Sequence, residues 1–199
     1  MAREKVMTKT NAQTLPLIGI AGKARSGKDT LANTLEKRGY FRYRFADPMK
    51  KFAAKLLGCT ASDIEAMDYG QPQAAFGGKT LREFLQLLGT EFGRELIWED
   101  IWLYQIQLEY DYLLSCVDEL HIVGVVVPDV RFENEAAWIR AQGGLVIHIT
   151  RDGAGPVNPH LSEDGIDYLP GDIAAVNNGS LDDLVLVADR VLASGGQAA

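Results

Sequence analysis

The chain has 199 residues and a mass of 21.8 kDa, and 47% of its residues are hydrophobic and 24% charged. A chain of this size and composition buries most of its surface on folding, which excludes disordered, collagen-like and disulfide-stapled miniprotein classes. The formal net charge of −7 argues against a protein that coats nucleic acid, because binding to a phosphate backbone requires a basic face.

The N-terminal segment is polar and contains no hydrophobic stretch of the signal-peptide type. We expect a mobile tail over residues 1–14 and a single domain over 15–199. No apolar run approaches the length of a membrane helix, so we expect a cytoplasmic protein without membrane contact. Cys59 and Cys116 lie far apart and have no partner at metal-ligand spacing, which indicates reduced core thiols.

The first part of the chain predicts a strand, a glycine-rich turn and a helix, in that order. Residues 15–21 form an apolar run that ends in glycine and polar residues, which is typical of a buried strand. From Lys28 onward the apolar residues recur at helical spacing, and Gly39 follows as a helix stop. Alternating aromatic and basic residues over 40–46 indicate a second strand.

The middle third of the chain, about 58–118, is predicted to be helical. Just before it, Asp47 as N-cap and Pro48 as the first helical residue predict a helix to about Leu57. Two more helices are predicted within the middle third, at about 80–88 and 100–117. We expect this helical part to bind the substrate.

The remaining sequence predicts three strands separated by helices. The strands are expected at 121–127, 144–150 and 173–176, and the helices at 131–142 and 181–192. Strands that alternate with helices predict an α/β fold with a parallel five-strand sheet flanked by helices. The stretch 151–170 has no period, and an irregular segment of this length favours a functional lid, with disorder as the alternative.

One motif points directly to a chemistry. Gly22 to Lys28 fits the phosphate-loop pattern G-x-x-x-x-G-K, and the motif lies directly between the first predicted strand and the first predicted helix. Glycines let such a loop turn its N–H groups inward, and the start of the helix adds partial positive charge. The Lys28 ammonium would add about 4 kcal/mol of attraction to a phosphate at ~4 Å, before desolvation. We therefore expect a P-loop NTPase fold that binds a nucleoside triphosphate.

The residue after the motif lysine departs from the usual pattern. Asp29 stands where a serine or threonine hydroxyl normally binds Mg²⁺. A carboxylate beside three phosphates repels them unless a cation lies between. Either Asp29 helps to hold the metal, directly or through water, or Thr30 supplies the hydroxyl from the next position.

Other P-loop classes fit less well. A GTPase carries an N-K-x-D guanine signature, which this sequence lacks, and a motor or transporter ATPase needs a longer chain. Small-molecule kinases fit the size.

Five segments resemble, in family order, the deoxynucleoside monophosphate kinases of tailed bacteriophages. They are Lys23–Thr30, Phe45–Lys50, Leu87–Glu91, Pro128–Arg131 with Glu135, and Asn177–Leu181. An aspartate after the phosphate-loop lysine is typical of that family. The resemblance implies a P-loop kinase that transfers the γ-phosphoryl group of ATP, with Mg²⁺, to a deoxynucleoside monophosphate (dNMP) and so supplies precursors for phage DNA synthesis.

The resemblance also implies roles for individual residues. ATP would be held, together with the motif residue Gly22, by Arg25, Ser26, Gly27, Lys28, Asp29, Thr30 and, near adenine, Asn177. The dNMP would lie among Arg82, Gln86, Trp102, Asp129, Arg131 and Glu135. In a family member that we compared, an arginine follows the Asp-Tyr pair, where this chain has Gln71 and Pro72, so one contact to the substrate phosphate is expected to be lost or moved.

The chemistry of the reaction supports the same assignment independently. A nucleoside monophosphate is mostly a dianion at neutral pH, so the transfer needs positive charge rather than a general base. The expected catalytic cations are Lys28, Arg25, Arg131 and, at the start of the lid, Arg151. The alternatives are a kinase of another small acceptor, such as dephospho-coenzyme A, and a non-catalytic ATP-binding regulatory module. Neither the accepted bases nor the oligomeric state is predicted, and a homodimer is compatible with the sequence.

Overall fold

The computed structural model describes residues 15–155, 160–163 and 165–193, and one parallel sheet forms its centre. The strands are β1 (Leu17–Ala21), β2 (Tyr40–Arg42), β3 (Gly124–Val130), β4 (Leu145–Thr150) and β5 (Ile173–Val176). Their order in the sheet is β2-β3-β1-β4-β5, and every neighbouring pair is parallel. The predicted α/β fold with a parallel five-strand sheet is confirmed.

Helices connect β1 to β2, β2 to β3 and β3 to β4, and a last helix follows β5. They are α1 (Lys28–Glu36), α2 (Asp47–Leu57), α3 (Ala61–Ala66), α4 (Leu81–Gln86), α5 (Ile101–Ser115), α6 (Val117–Leu120), α7 (Glu133–Ala141) and α8 (Leu181–Ala193). A π-helix, Leu87–Ile97, directly continues α4. Residues 58–118 are therefore largely helical, as predicted.

Helices cover both faces of the sheet. Successive residues of a strand point to opposite sides, so neighbouring residues of β1 enter different cores. On one side Leu17 packs in a core with Ile106 of α5. On the other side Ile18 packs with Leu31 of α1 and Leu184 of α8. The central strand β1 is buried along its whole length, which fixes the position of the loop that follows it.

The third strand was predicted three residues too early. His121 follows α6 with a left-handed φ of 52°, and β3 begins only at Gly124. The strand then continues through Pro128, where the register with β1 shifts, because proline has no N–H for the ladder. Asp129 is consequently a strand residue beside the end of β1.

The prediction for β2 was too long, and those for two helices need correction at their ends. β2 stops at Arg42, and α2 has Ala46 rather than Asp47 at its N-cap. The helix predicted at 80–88 continues as the π-helix to Ile97. The short helix α3 was not predicted as a separate element, although Thr60 and Asp63 form the capping box that starts it.

The predicted tail and part of the predicted lid lie outside the described residues: 1–14, 156–159 and 164. Within the rest of the lid, residues 161–163 form a short 3-10 turn. Cys59 and Cys116 are both free thiols, as predicted, but they are half-buried, so the prediction that they lie in the core was wrong. None of the described helices combines the length and the hydrophobicity needed to cross a bilayer.

Candidate functional site

The phosphate-loop motif folds as a tight turn between β1 and α1. Gly22 and Gly27 have φ values of 152° and 105°, and Arg25 between them has a left-handed φ of 66°. A Cβ atom on Gly22 would collide with the carbonyl oxygen of Ile149, so this turn requires glycine. The loop leads directly into the first turn of α1, whose N–H groups have no partner within the helix.

The motif lysine reaches back across its own loop. Lys28 Nζ donates hydrogen bonds to the carbonyl oxygens of Gly22, at 2.6 Å, and of Lys23, at 2.8 Å. These contacts place the ammonium at the loop, where the motif predicts it.

Asn177 fastens the loop to the end of β5. Its side-chain amide donates to the carbonyl oxygen of Ser26 at 2.8 Å, and both residues are buried. The amide also lies where a Cβ atom on Gly27 would be. The structure thus gives Asn177 a contact with the loop, and its predicted place near adenine stays a prediction.

The two residues predicted to hold a metal lie at the start of α1. The Asp29 side chain is 75% exposed, and its Oδ1 lies 4.0 Å from Arg44 Nη2. Thr30 is half-buried. Among the residues that the structure describes, no three His, Cys, Asp or Glu side chains are grouped to hold a metal by themselves. Mg²⁺ that takes one or two protein oxygens and completes its shell with phosphate and water fits this donor set.

A cleft of about 670 Å³ opens beside the loop and brings most of the predicted site residues together. Of these, it is lined by Arg25, Lys28, Asp29, Arg82, Gln86, Trp102, Asp129, Arg131 and Glu135. A smaller cavity of about 280 Å³ is lined by Gly22, Ser26, Arg131 and Arg151 among others. Gly27, Thr30 and Asn177 line neither. Arg131 lines both and therefore connects the two spaces.

Asp129 clamps the backbone that enters α2. Its two carboxylate oxygens accept hydrogen bonds from the N–H groups of Phe45, at 3.1 Å, and Ala46, at 3.0 Å. Desolvation raises the pKa of Asp129 above its ordinary value, against the effect of these two hydrogen bonds. The residue predicted to contact substrate thus also shapes the wall of the cleft.

Glu135 has a similar double position at the start of α7. Its Oε2 accepts from the backbone N–H groups of Arg131, at 2.8 Å, and Phe132, at 3.1 Å. Its Oε1 lies 3.4 Å from Nη1 of Arg94, which also bonds Asn134. Desolvation raises the pKa of Glu135 to about 7 despite these partners, because the residue is only 3% exposed.

Arg131 contacts a residue of the stretch that is predicted to form a lid. The guanidinium Nη1 donates to the carbonyl oxygen of Ser162 at 3.0 Å. On the same turn, His160 bonds the Ser162 hydroxyl and lies 3.3 Å from Glu91 of the π-helix. Arg151 is exposed and faces the smaller cavity.

Trp102 and Arg82 come from different helices of the middle third. The Trp102 indole N–H donates to the carbonyl oxygen of Gly89 at 2.7 Å, so this ring is fixed against the π-helix while it lines the cleft. Arg82 is half-buried on the first turn of α4. Both remain predicted substrate contacts.

Sequence reasoning missed several charged residues of the same cleft. They are Arg42, Arg44, Lys50, Glu65 and Arg94. Arg94 is 8% exposed and lies with its guanidinium carbon 3.9 Å from the centre of the Phe132 ring. A signal for three of them was the basic residues within 42–50, a stretch that the sequence predicts as a strand and a helix and that overlaps the family-like segment Phe45–Lys50, without site roles for its side chains.

Comparison with known proteins gives one consistent family. A family model described as deoxynucleotide monophosphate kinase matches residues 73–187. A protein of Acanthamoeba polyphaga mimivirus, provisionally named as such a kinase, is 32% identical over 178 residues, which cover 84% of this chain and 91% of that protein.

Two phage proteins are similar over a shorter part. The deoxynucleotide monophosphate kinase of Escherichia phage RB69 is 32% identical over 57% of this chain and 45% of its own length. That of Enterobacteria phage T4 is 32% identical over 53% of this chain and 42% of its own length. The chain thus spans less than half of these two phage relatives. A crystal structure of a Thermus thermophilus protein has a TM-score of 0.48 and 17% identity, and the match covers 92% of this chain and 98% of that one.

Proposed function

Because the chain belongs to the deoxynucleotide monophosphate kinase family, we propose that it transfers the γ-phosphoryl group of ATP to a dNMP. The products are the deoxynucleoside diphosphate and ADP, which would supply precursors for phage DNA synthesis. One observation carries the proposal: a single cleft is lined both by the end of the phosphate loop and by arginines from other parts of the chain. Two mutually repelling anions can meet in such a cleft.

The phosphate loop binds the donor, ATP. Backbone N–H groups from Gly22 to Gly27 and the start of α1 bind the triphosphate, and Lys28 adds its charge at the β- and γ-phosphates. Binding requires Lys28 Nζ to exchange its two loop carbonyls for phosphate oxygens. Arg25, exposed at the rim of the cleft, approaches the transferring group. Asn177 and Ser26 keep the loop in place and border the adenine side.

The acceptor, a dNMP, binds between the helical part and the end of β3. Arg82, Gln86 and Trp102 line it from α4 and α5, and Asp129, Arg131 and Glu135 line it from the end of β3 and the start of α7. An oxygen of the acceptor phosphate attacks the γ-phosphorus, the bond to the bridging oxygen of ADP breaks, and no general base is required. Arginines around the transferring group neutralise its charge.

Mg²⁺ belongs to the proposal as the ion that neutralises the β- and γ-phosphate oxygens when bound. Asp29 and Thr30 would hold it, directly or through water, from the first turn of α1. Residues 151–170 would serve as the lid, since Arg131 already contacts Ser162 and Arg151 faces the cavity beside the loop. We place the reaction in the host cytoplasm. A homodimer remains a prediction, and light scattering tests it by measuring the molar mass in solution.

A coupled assay for ADP release tests the proposal. The purified chain is given ATP, Mg²⁺ and, in turn, each common dNMP, the matching ribonucleotides, dephospho-coenzyme A and no acceptor. Strong stimulation by one or more dNMPs supports the proposal. Stimulation by dephospho-coenzyme A alone would identify a kinase of another acceptor, and no stimulation by any acceptor would leave an ATP-binding regulatory module. The two ribose series also show whether a 2′-hydroxyl is rejected.

A further inference from the structure

An ion pair between α2 and α3 lines the cleft of about 670 Å³, which is called the acceptor cleft from here on. Lys50 is 9% exposed, and its Nζ donates to Glu65 Oε1 at 2.6 Å. The guanidinium of Arg44 lies 3.6 Å from the same oxygen. All three residues line the cleft into which Lys28 and Asp129 also face.

Glu65 acts on Lys50 as a bound anion would, because each of the two side chains favours the charged form of the other. Burial alone would lower the pKa of Lys50, but the hydrogen bond and charge of Glu65 raise it overall. Burial alone would raise the pKa of Glu65, but Lys50 and Arg44 lower it overall. Both groups are therefore charged at neutral pH, and the single carboxylate of Glu65 lies between two cations, Lys50 and Arg44, whose charge it offsets only in part. A buried ammonium without such a partner is costly.

Arg44 has donors to spare. Among the described residues, three carboxylates surround its guanidinium, those of Asp29, Asp47 and Glu65, at 4.0, 3.8 and 3.6 Å. None of these distances is short enough for a hydrogen bond. A planar fork of N–H donors is suited to the oxygens of a phosphate monoester, which can bridge two cations.

The position of the cluster suits an acceptor phosphate. The chain at Arg44 is fixed, because its N–H donates to Asp47 and the next two N–H groups donate to Asp129. The guanidinium faces Asp29, the residue directly after the phosphate-loop lysine. An anion held by Arg44 and Lys50 therefore lies next to the donor site.

We propose that Lys50 and Arg44 form the subsite for the phosphate of the acceptor, and that Glu65 occupies this subsite until the phosphate displaces it. The inference rests on the proposed function. The Glu65 side chain is 44% exposed, so its carboxylate can turn into solvent when it leaves Lys50. A phosphate dianion carries more charge and more acceptor oxygens than the carboxylate that it replaces, which favours phosphate monoesters over monoanions.

The test compares Glu65→Gln with wild type. The amide keeps the shape but not the charge of the occupant, so we expect the KM for the most active dNMP of the panel to fall about three- to tenfold. The kcat should change less than about twofold, since Glu65 does not touch the transferring group. Lys50→Met should raise the same KM about tenfold or more. Glu36→Gln is the matched control, because Glu36 pairs with the cleft residue Arg42 without lining the cleft, and we expect its KM to match wild type.

A higher or unchanged KM in Glu65→Gln would overturn the exchange, since Glu65 would then contribute to binding or act only within the helical part. An unaffected KM in Lys50→Met would overturn the subsite. The double variant Lys50→Met/Glu65→Gln removes both charges and should still bind dNMP weakly, which separates loss of the subsite from loss of the fold. Calorimetric titration with dGMP and dTMP in the absence of ATP reads the subsite without turnover. A wild type that binds dNMP but releases no ADP would contradict the proposed function. The exchange of Glu65 for phosphate would still be tested, because the calorimetric titrations of Glu65→Gln and Lys50→Met measure dNMP binding directly.

Discussion

In the proposed function, the phosphate loop and the acceptor cleft both bind anions, but they would do so with different groups. The loop uses backbone N–H groups of consecutive residues, held by Gly22, Gly27 and the start of α1. The acceptor side uses side chains that arrive from separate elements, such as Arg44, Arg82 and Arg131. Apart from proline, every residue keeps its backbone N–H, so most substitutions can only displace backbone donors, whereas side-chain donors can be removed one at a time. Substitutions in the two regions should therefore differ in their effects on turnover, binding and stability.

The largest expected effect is at the lysine of the phosphate loop. Lys28→Ala should lower kcat by about 10³-fold or more, because its ammonium acts on the transferring phosphates. The coupled ADP assay measures this, with circular dichroism to verify the fold. Lys37→Ala, at the exposed far end of the same helix, is the control and should keep wild-type turnover. Equal activity in the two variants would contradict the loop assignment.

The next effect concerns backbone shape. Gly27→Ala places a methyl group at a φ of 105° and against the Asn177 amide, so we expect a loss of about 2–4 kcal/mol of unfolding free energy and weaker ATP binding. Gly77 in the helical part has a φ of 64° and open space around it, and Gly77→Ala should cost only about 1 kcal/mol. Urea unfolding of both variants gives the comparison. Similar losses would show that Asn177 does not fix the loop.

A third test uses pH on the acceptor side. Glu135 has a pKa raised from 4.5 to about 7 in the folded chain, so the folded state holds this proton more tightly than the unfolded state does. The resulting stabilisation is complete below about pH 4.5 and is lost as pH rises to about 7, a change of about 1–3 kcal/mol. Glu135→Gln should remove that part of the pH dependence. Urea unfolding at pH 5 and pH 7.5 measures it, and parallel curves for variant and wild type would contradict the shift.

The smallest expected effect is at the tie between loop and sheet. Asn177→Ala leaves the buried carbonyl oxygen of Ser26 without its 2.8 Å partner, which should cost about 1–2 kcal/mol and raise the KM for ATP a few fold. The KM for the dNMP serves as the internal control and should stay constant. A change in both constants to the same degree would mean that the amide supports the whole fold rather than the loop.

The two regions also differ in how well the sequence predicts them. The β1–loop–α1 unit was predicted because its apolar runs and glycines act over a few residues, without distant partners. The start of β3 was misplaced because Ile122 and Val123 have strand-like side chains, yet the end of α6 and the turn at His121 determine their backbone.

The acceptor side could be predicted only in part. Leu87–Ile97 buries Gly89, Thr90, Gly93 and Arg94, a spacing of about four residues that also fits an ordinary helix, so the sequence pattern does not indicate a π-helix. The Lys50–Glu65 pair forms across the junction of two helices, which no local pattern encodes. Arg94 is preceded by a motif that was recognised, Leu87–Glu91, but its burial against Phe132 depends on how the π-helix meets α7. Side-chain sites of this kind follow from packing.

The tethered indole of Trp102 gives the molecule a built-in optical signal. Its ring stands in the wall of the acceptor cleft, whereas Trp138 is buried in the core next to Gln107. If a nucleobase binds against Trp102 as proposed, it should change the emission of that ring, while Trp138 and the exposed Trp98, which do not line the cleft, provide a constant background. Arrival of the second substrate can thus be followed by stopped-flow fluorescence without any label.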